Sequence, residues 1–214
     1  MKKFDAFANV DEVYQRLITA RKLDMVLKGL KQNERTAVLI DANNLICALE
    51  AQGVRIDYGR LKDLFSTRCD LVTMNMFIAT SEGRVDQKKW LDILQDEYGY
   101  RVISKNIRTY DDFGQKGNMD VEITISAMKL MSSVEHVVLI TGDRDFIPLV
   151  SELRNNGRRV SVVGSLQGSV KYTSRDLTNA ANHFFDLKDL LPYITSPAYG
   201  EPANTDTVKE AVCR

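Results

Sequence analysis

Short apolar runs alternate with amphipathic stretches along most of the chain. Five runs have the length and composition of buried strands: residues 36–41 (TAVLID), 71–79 (LVTMNMFIA), 100–104 (YRVIS), 136–141 (HVVLIT) and 159–164 (RVSVVG). Apolar residues recur every three or four positions in segments 9–31, 57–67, 86–97, 119–132, 145–156 and 174–191, which predicts helices there. Strands that alternate with helices in this way form a parallel sheet covered on both faces, with right-handed crossovers.

The pattern changes at both ends and divides the chain into three predicted parts. Residues 1–34 form an N-terminal helical extension, whose apolar stripe suits packing on the sheet or pairing with a second copy in a homodimer. Residues 35–194 form the α/β domain. Residues 195–214 contain two prolines and little periodicity, so we predict a mobile tail.

The charge of the chain is balanced, with 29 basic and 29 acidic side chains among 214 residues. A surface that binds nucleic acid must therefore come from a local cluster of cations. No apolar segment approaches the length of a membrane-spanning helix, and the N-terminus lacks an apolar signal core. We expect a cytoplasmic protein without a membrane partner.

The side chains that usually bind zinc are few and scattered. The three cysteines include no C-x-x-C pair, and the two histidines, His136 and His183, lie far apart in the sequence. The chain therefore does not predict a zinc site. We expect both histidines at helix ends or on the surface.

Acidic residues gather instead at the ends of two predicted strands. Asp41 ends the first strand, and Asp143 and Asp145 follow the fourth. Ligands of open parallel sheets bind beyond the carboxyl ends of the strands, so these three side chains would share one crevice. Asp120 opens the helix that leads into the fourth strand. We expect that helix to begin at the opposite end of the sheet, so that Asp120 reaches the crevice only through a bend or through a helix orientation that directs its side chain there.

Two interpretations of these acids are open. Each aspartate could cap a helix or face a helix dipole. Alternatively, carboxylates that converge repel one another, and a divalent cation relieves that repulsion. Oxygen ligands without Cys or His favour Mg²⁺ or Mn²⁺, ions that can polarise a phosphodiester and activate water.

Four motifs in order along residues 35–192 resemble the NYN-domain family, specifically its LabA-like branch within the PIN-like nuclease group. They are LIDANNL (39–45), KGNMDVEITISAM (116–128), LITGDRDFIPLV (139–150) and SRDLTNAANHFFDL (174–187). The resemblance implies a three-layer αβα sandwich with a parallel sheet of order 3-2-1-4-5. It also implies a divalent-cation ribonuclease or an RNA-associated regulator.

The resemblance also assigns site residues. It implies that the catalytic acids are Asp41, Asp120, Asp143 and Asp145, of which the first three would bind the metal. Family members often have an aspartate six residues after the first helix acid, whereas this chain has Ser126. A hydroxyl is a much weaker ligand than a carboxylate. Auxiliary candidates are Glu122, one helical turn before Ser126, together with Ser126 itself and Thr141.

The expected substrate is single-stranded RNA. The candidate contacts are Asn44, Lys116, Arg144 and Tyr110, through phosphate binding and base stacking. Ser126 favours an alternative, a catalytically impaired module that binds RNA or regulates. The segment VLITGDRD is also similar to motifs of haloacid-dehalogenase phosphotransferases, but Asn43 stands where that chemistry needs an aspartate. A sheet that binds nucleotides without catalysis is a further alternative, although no G-x-G-x-x-G follows the first strand.

Overall fold

The computed structural model describes residues 17–81, 85–107, 118–166 and 173–195, and these contain a six-stranded sheet. The strands are β1 (Arg35–Asp41), β2 (Asp70–Ser81), β3 (Arg101–Ile107), β4 (His136–Ile140), β5 (Arg159–Gly164) and β6 (His183–Asp186). Every neighbouring pair is parallel, in the order β3-β2-β1-β4-β5-β6. The predicted αβα fold and strand order are confirmed, and β6 extends the sheet by one strand.

Helices cover both faces of this sheet. They are α1 (17–26 in the described part), α2 (Ala42–Glu50), α3 (Tyr58–Ser66), α4 (Val85–Asp96), α5 (Asp120–Leu130), α6 (Ile147–Asn155), α7 (Arg175–Ala180) and α8 (Leu187–Ile194). One apolar core joins α1, α2, α3, α4 and α8 to the sheet, and a second joins α5, α6 and α7 to the other face. The alternation of side chains along each strand supplies both cores.

The described part of the predicted N-terminal helix packs on the domain. Leu23, Val26 and Leu27 contact the first core, while Leu17 and Met25 are exposed. The homodimer and the domain boundaries stay predictions, and the tail from residue 196 lies outside the described residues. Within the described residues, no helix has the length and apolar character needed to cross a bilayer.

The single helix predicted over residues 174–191 is wrong. This segment forms α7, then β6, then α8. Asn182 interrupts the helix because its backbone N–H and its side-chain oxygen both bond to the backbone of Val160 and start a new ladder. Asp186 then ends β6 and caps α8 by accepting a hydrogen bond from the Lys188 amide.

The predicted helices omitted α2, and one further expectation failed. Helix α2 follows β1 without a loop because Asp41 caps it directly, so its short apolar pattern merges with that of the strand. His136 is not at the surface: it is fully buried in β4, where its Nε2 lies 2.8 Å from the Ser161 hydroxyl. His183 is half-buried in β6.

The sheet register brings the predicted acids to one edge. Ile40 of β1 lies beside Ile140 of β4, so Asp41 and the loop after β4 leave the sheet at the same level. Helix α5 follows β3 and runs back toward the start of β4, and it therefore begins at the carboxyl edge. The expectation that this helix begins at the opposite end of the sheet is wrong.

Candidate metal centre

Three aspartates from two segments converge at the carboxyl edge of the sheet. One carboxylate oxygen each from Asp120, Asp143 and Asp145 lies within 4.8 Å of the other two. Asp120 is the first residue of α5. Asp143 caps a single 3₁₀ turn after β4, Arg144–Phe146, and Asp145 lies within that turn. Asp120 and Asp143 are partly buried and Asp145 is exposed, so the cluster is open to solvent.

Local hydrogen bonds orient these carboxylates. Asp143 caps the 3₁₀ turn, and its Oδ1 accepts a hydrogen bond from the Asp145 amide at 3.0 Å. Asn118 contacts Asp120 twice: its side-chain oxygen accepts from the Asp120 amide at 2.6 Å, and its Nδ2 donates to Asp120 Oδ2 at 2.5 Å. The sequence interpretation missed Asn118, although an Asn two residues before a helix acid is a recognisable capping signal.

Asp41 stands beside this trio. Its Oδ1 accepts from the Asn44 amide at 3.2 Å, and its Oδ2 accepts from the Thr141 hydroxyl at 3.3 Å. The pKa of Asp41 is raised to about 6, mainly by burial, with smaller contributions from the negative charges of Asp120 and Asp143. Asp41 therefore lies close enough to the trio for the charges of the trio to change its pKa, although it is not one of the three clustered aspartates.

Two polar side chains tie the ends of β1 and β4 together. The buried Thr141 hydroxyl bonds Asp41 and also accepts from the Asp143 amide at 3.2 Å. The side-chain oxygen of Asn44 accepts from the Gly142 amide at 2.8 Å. A Cβ on Gly142 would lie 3.3 Å from that oxygen, so the glycine permits a close approach. Thr141 and Asn44 thus hold Asp41 and Asp143 in a fixed relation.

The trio has the chemistry of a site for a hard cation. The three ligands are carboxylates, without Cys or His, and burial raises the pKa of Asp120, with smaller contributions from the charges of Asp143 and Asp145. A divalent ion would relieve the repulsion among these carboxylates. The donor set fits Mg²⁺ or Mn²⁺ better than zinc.

The auxiliary candidates Glu122 and Ser126 bond to the sheet instead of joining the trio. Glu122 Oε1 accepts from the Lys105 ammonium at 2.9 Å, and this bond lowers the pKa of Glu122. Ser126 Oγ accepts from Nδ2 of the buried Asn75 on β2 at 3.1 Å. Asn75 and Lys105 belong to strands distant in sequence, and no local signal indicated either contact.

The predicted RNA contacts are only partly described. Lys116 and Tyr110 lie outside the described residues. Arg144 is exposed between Asp143 and Asp145, where its guanidinium is available to a polyanion. The side-chain oxygen of Asn44 is engaged by Gly142, which assigns this residue a scaffolding contact.

The acids lie on an open edge of the domain. A groove of about 470 Å³ lies at the opposite end of β2 and β3, beside Lys62, Tyr100 and Arg101, and none of the four aspartates lines it. Exposure of Asp145 at a sheet edge suits a long polymer better than a small molecule that needs enclosure.

Comparison with protein families gives one match that spans most of the chain. The model of the NYN domain matches residues 35–190. Proteins of this kind are PIN-like nucleases, which generally use divalent metals. The matched range includes all four aspartates.

Individual relatives agree with this match. The chain is 29% identical over 175 residues to the low amplitude and bright protein LabA of Synechococcus elongatus, covering 78% of this chain and 91% of that protein. It is 23% identical over 164 residues to an uncharacterized protein, MJ0482, of Methanocaldococcus jannaschii, covering 75% of this chain and 60% of that one.

A solved structure has the same fold. A protein of unknown function, VPA0982, from Vibrio parahaemolyticus superposes with a TM-score of 0.64 at 26% identity, covering 72% of this chain and 93% of that one.

Proposed function

The chain belongs to the NYN domain family, in its LabA-like branch, and from this premise we propose that it is a divalent-metal-dependent endoribonuclease. Family membership supports a nuclease-type function. Our finer proposal is hydrolysis of phosphodiester bonds in single-stranded RNA, with Mg²⁺ or Mn²⁺ as the cofactor.

The observation that carries this proposal is the convergence of Asp120, Asp143 and Asp145 within 4.8 Å. Asp120 belongs to a different segment of the chain from Asp143 and Asp145, and capping alone would not require the two segments to share one space. A bound ion would polarise the phosphate and lower the pKa of an attacking water. Asp120 and Asp143 are our candidate ligands, and Asp41 supplies further negative charge from the buried side.

The chain's own residues have distinct roles in this proposal. Asp145 is exposed, so its carboxylate can accept a proton from a water that approaches the phosphate. Arg144 neutralises phosphate charge at the rim. Thr141 and Asn44 are positioning residues. The Thr141 hydroxyl bonds Asp41 and the Asp143 amide, and Asn44 bonds Asp41 through its amide and Gly142 through its side chain.

The direct test is cleavage of an unstructured RNA by the full chain in Mg²⁺, in Mn²⁺ and in EDTA, with Asp143→Asn beside the wild type. We expect cleavage in the two metals, none in EDTA, and a loss of at least about a hundredfold in the variant. The matched control is Asp176→Asn, which neutralises an exposed acid in the first turn of α7. Full activity of Asp143→Asn, or undiminished cleavage in EDTA, would refute the metal mechanism.

Ser126 favours a second candidate function, a module that binds RNA with an impaired site. The serine replaces a frequent family aspartate and bonds to Asn75. A carboxylate at this position could still accept the hydrogen bond from Asn75 while adding negative charge to α5. The native chain has one acid fewer for the cation than such relatives have.

The variant Ser126→Asp separates the two candidates. If the native site is active, this variant should change Mn²⁺-dependent cleavage by less than about tenfold. If it converts an inactive wild type into a nuclease, the impaired-module candidate is correct. Ser126→Ala is the control, because it removes the hydroxyl without adding charge.

A further inference from the structure

Lys105 and Glu122 form an ion pair beside the acidic trio. The Lys105 ammonium lies 2.9 Å from Glu122 Oε1, and the pair joins β3 to the first turn of α5. Glu122 is two residues after Asp120, and its charge is one of those that raise the pKa of Asp120. The pair is therefore part of the electrostatic surroundings of the candidate metal centre.

The sheet register gives the position of Lys105 relative to Asp41. Asp41 lies beside Phe77 of β2, and Phe77 lies beside Ile103 of β3. Lys105 is thus two strands away and two residues nearer the carboxyl edge, which places the two Cα atoms roughly 12 Å apart. A nucleic-acid strand at the acids can reach this lysine with a neighbouring phosphate.

The two partners of this pair face different surroundings. The side chain of Lys105 is 55% exposed, whereas Glu122 Oε2 has no exposed surface and no hydrogen-bond partner among the described residues. The cation is thus the partner that faces solvent. An ammonium has three N–H donors, and the contact with Glu122 uses one of them.

A cation beside the acids offsets their electrostatic repulsion of the substrate. Asp41, Asp120, Asp143 and Asp145 repel the phosphates that the proposed reaction must bring to them. The ion pair itself is only partly buried, and pairs that solvent reaches contribute little to stability. Fixing a lysine beside the acids therefore has more consequence for a bound polyanion than for the fold.

We propose that Lys105 is a phosphate-binding residue, positioned by Glu122, that holds the RNA backbone one or two nucleotides from the cleaved bond. This inference rests on the proposed function, because it assigns a further contact to the same substrate. Lys105 binds through charge and not through base recognition, so it raises affinity for all sequences alike.

The experiment measures binding of a short unstructured RNA by fluorescence anisotropy across a range of salt concentrations. Ca²⁺ replaces the activating metal, and a gel checks that the RNA stays intact. Lys105→Met is compared with Lys105→Arg, which keeps the charge. The matched control is Lys129→Met, which removes an exposed lysine from the last turn of α5.

We expect Lys105→Met to weaken binding on the order of 5-fold at low salt and to reduce the slope of log K against log salt by about 0.7, the value for one lost phosphate contact to a single strand. Lys105→Arg should restore the slope, and Lys129→Met should leave it unchanged. Glu122→Gln should weaken binding less than Lys105→Met does, because the charge of Lys105 remains.

A Mn²⁺ titration distinguishes the failure of this inference from the failure of the proposed function. If Lys105→Met keeps the wild-type salt slope while the wild type binds Mn²⁺ and cleaves RNA, the inference is overturned and the nuclease stands. A lower melting temperature without a change of slope would mean that the pair is structural, which also overturns it. If the wild type binds neither Mn²⁺ nor RNA, the proposed function itself has failed.

Discussion

At the scale of single residues, Asp41 shows how the site works against the stability of the fold. Burial and neighbouring acids raise its pKa from 3.8 to about 6. The folded protein therefore binds this proton more tightly than the unfolded chain does. Between about pH 4 and pH 6, the contribution of Asp41 to the free energy of unfolding falls as the pH rises, and above pH 6 the charged carboxylate is a net cost.

We predict that Asp41→Asn stabilises the metal-free protein at pH 7.5, by on the order of 1–3 kcal/mol, while it abolishes cleavage. Asparagine caps a helix as well as aspartate does and can still accept from Thr141, so the local contacts survive. Thermal unfolding in EDTA at pH 7.5 and pH 4 measures the effect, which should shrink at pH 4. A lower melting temperature than the wild type at pH 7.5 would contradict it.

Whether a contact of the site could be predicted from the sequence depends on how far apart its two residues lie in the chain. Asp41, Asp143 and Asp145 were identifiable because strand ends of a parallel sheet share one edge. The bond between Thr141 and Asp41 spans 100 positions, and that between Asn75 and Ser126 spans 51. Such pairs depend on strand register and helix rotation, which no periodicity in one segment specifies.

At the scale of elements, the junction between β5 and α7 depends on Gly164, which has no side chain. The Thr173 hydroxyl is buried without a hydrogen-bond partner among the described residues, and a Cβ on Gly164 would lie 2.0 Å from it. The Thr173 amide donates a hydrogen bond to the Ser165 carbonyl at 2.7 Å, which holds Thr173 in this position. Gly164 therefore allows the chain to return beside β5 before α7 begins.

We predict that Gly164→Ala costs about 1–3 kcal/mol through this collision. Adding Thr173→Ala should remove most of that cost, whereas Thr173→Val should not, because valine keeps the bulk that the new methyl group meets. Urea unfolding of the single and double variants measures the coupling energy, which we expect to be about 1–2 kcal/mol. Equal costs of Gly164→Ala in the wild-type and Thr173→Ala backgrounds would contradict the prediction.

The elements that the sequence predicted well are those with one clear period. The buried runs of β1, β4 and β5 lack a competing pattern, and α3, α4 and α6 each concentrate their apolar residues on one side. The final segment failed because Phe184, Phe185 and Leu187 suit a helix and a strand equally. Its outcome depends on pairing with β5, which is tertiary information.

At the scale of the whole molecule, the two ends of the sheet carry different chemistry. The carboxyl edge holds the four aspartates, and the amino edge holds a buried network in which Glu34 contacts both Arg159 and His136. Burial is the main cause that lowers the pKa of His136 to about 3, with further contributions from Arg159, His183 and Lys31. His136 therefore remains neutral inside the folded sheet well below the ordinary pKa of histidine.

This neutrality predicts that acid weakens the fold from the amino edge. The ordinary pKa of histidine is 6.5, so His136 becomes protonated in the unfolded chain below that pH. In the folded protein, His136 becomes protonated only near pH 3. The stability contributed by neutral His136 is complete above pH 6.5 and is lost as the pH falls toward 3. We expect His136→Gln to be less stable than the wild type at pH 7 but to lose about 2 kcal/mol less between pH 7 and pH 4.5. Chemical unfolding at both pH values tests this. The control is His183→Gln, at a half-buried position, which should change the pH dependence of stability less. If His136→Gln keeps the wild-type pH dependence, His136 does not cause the loss of stability in acid.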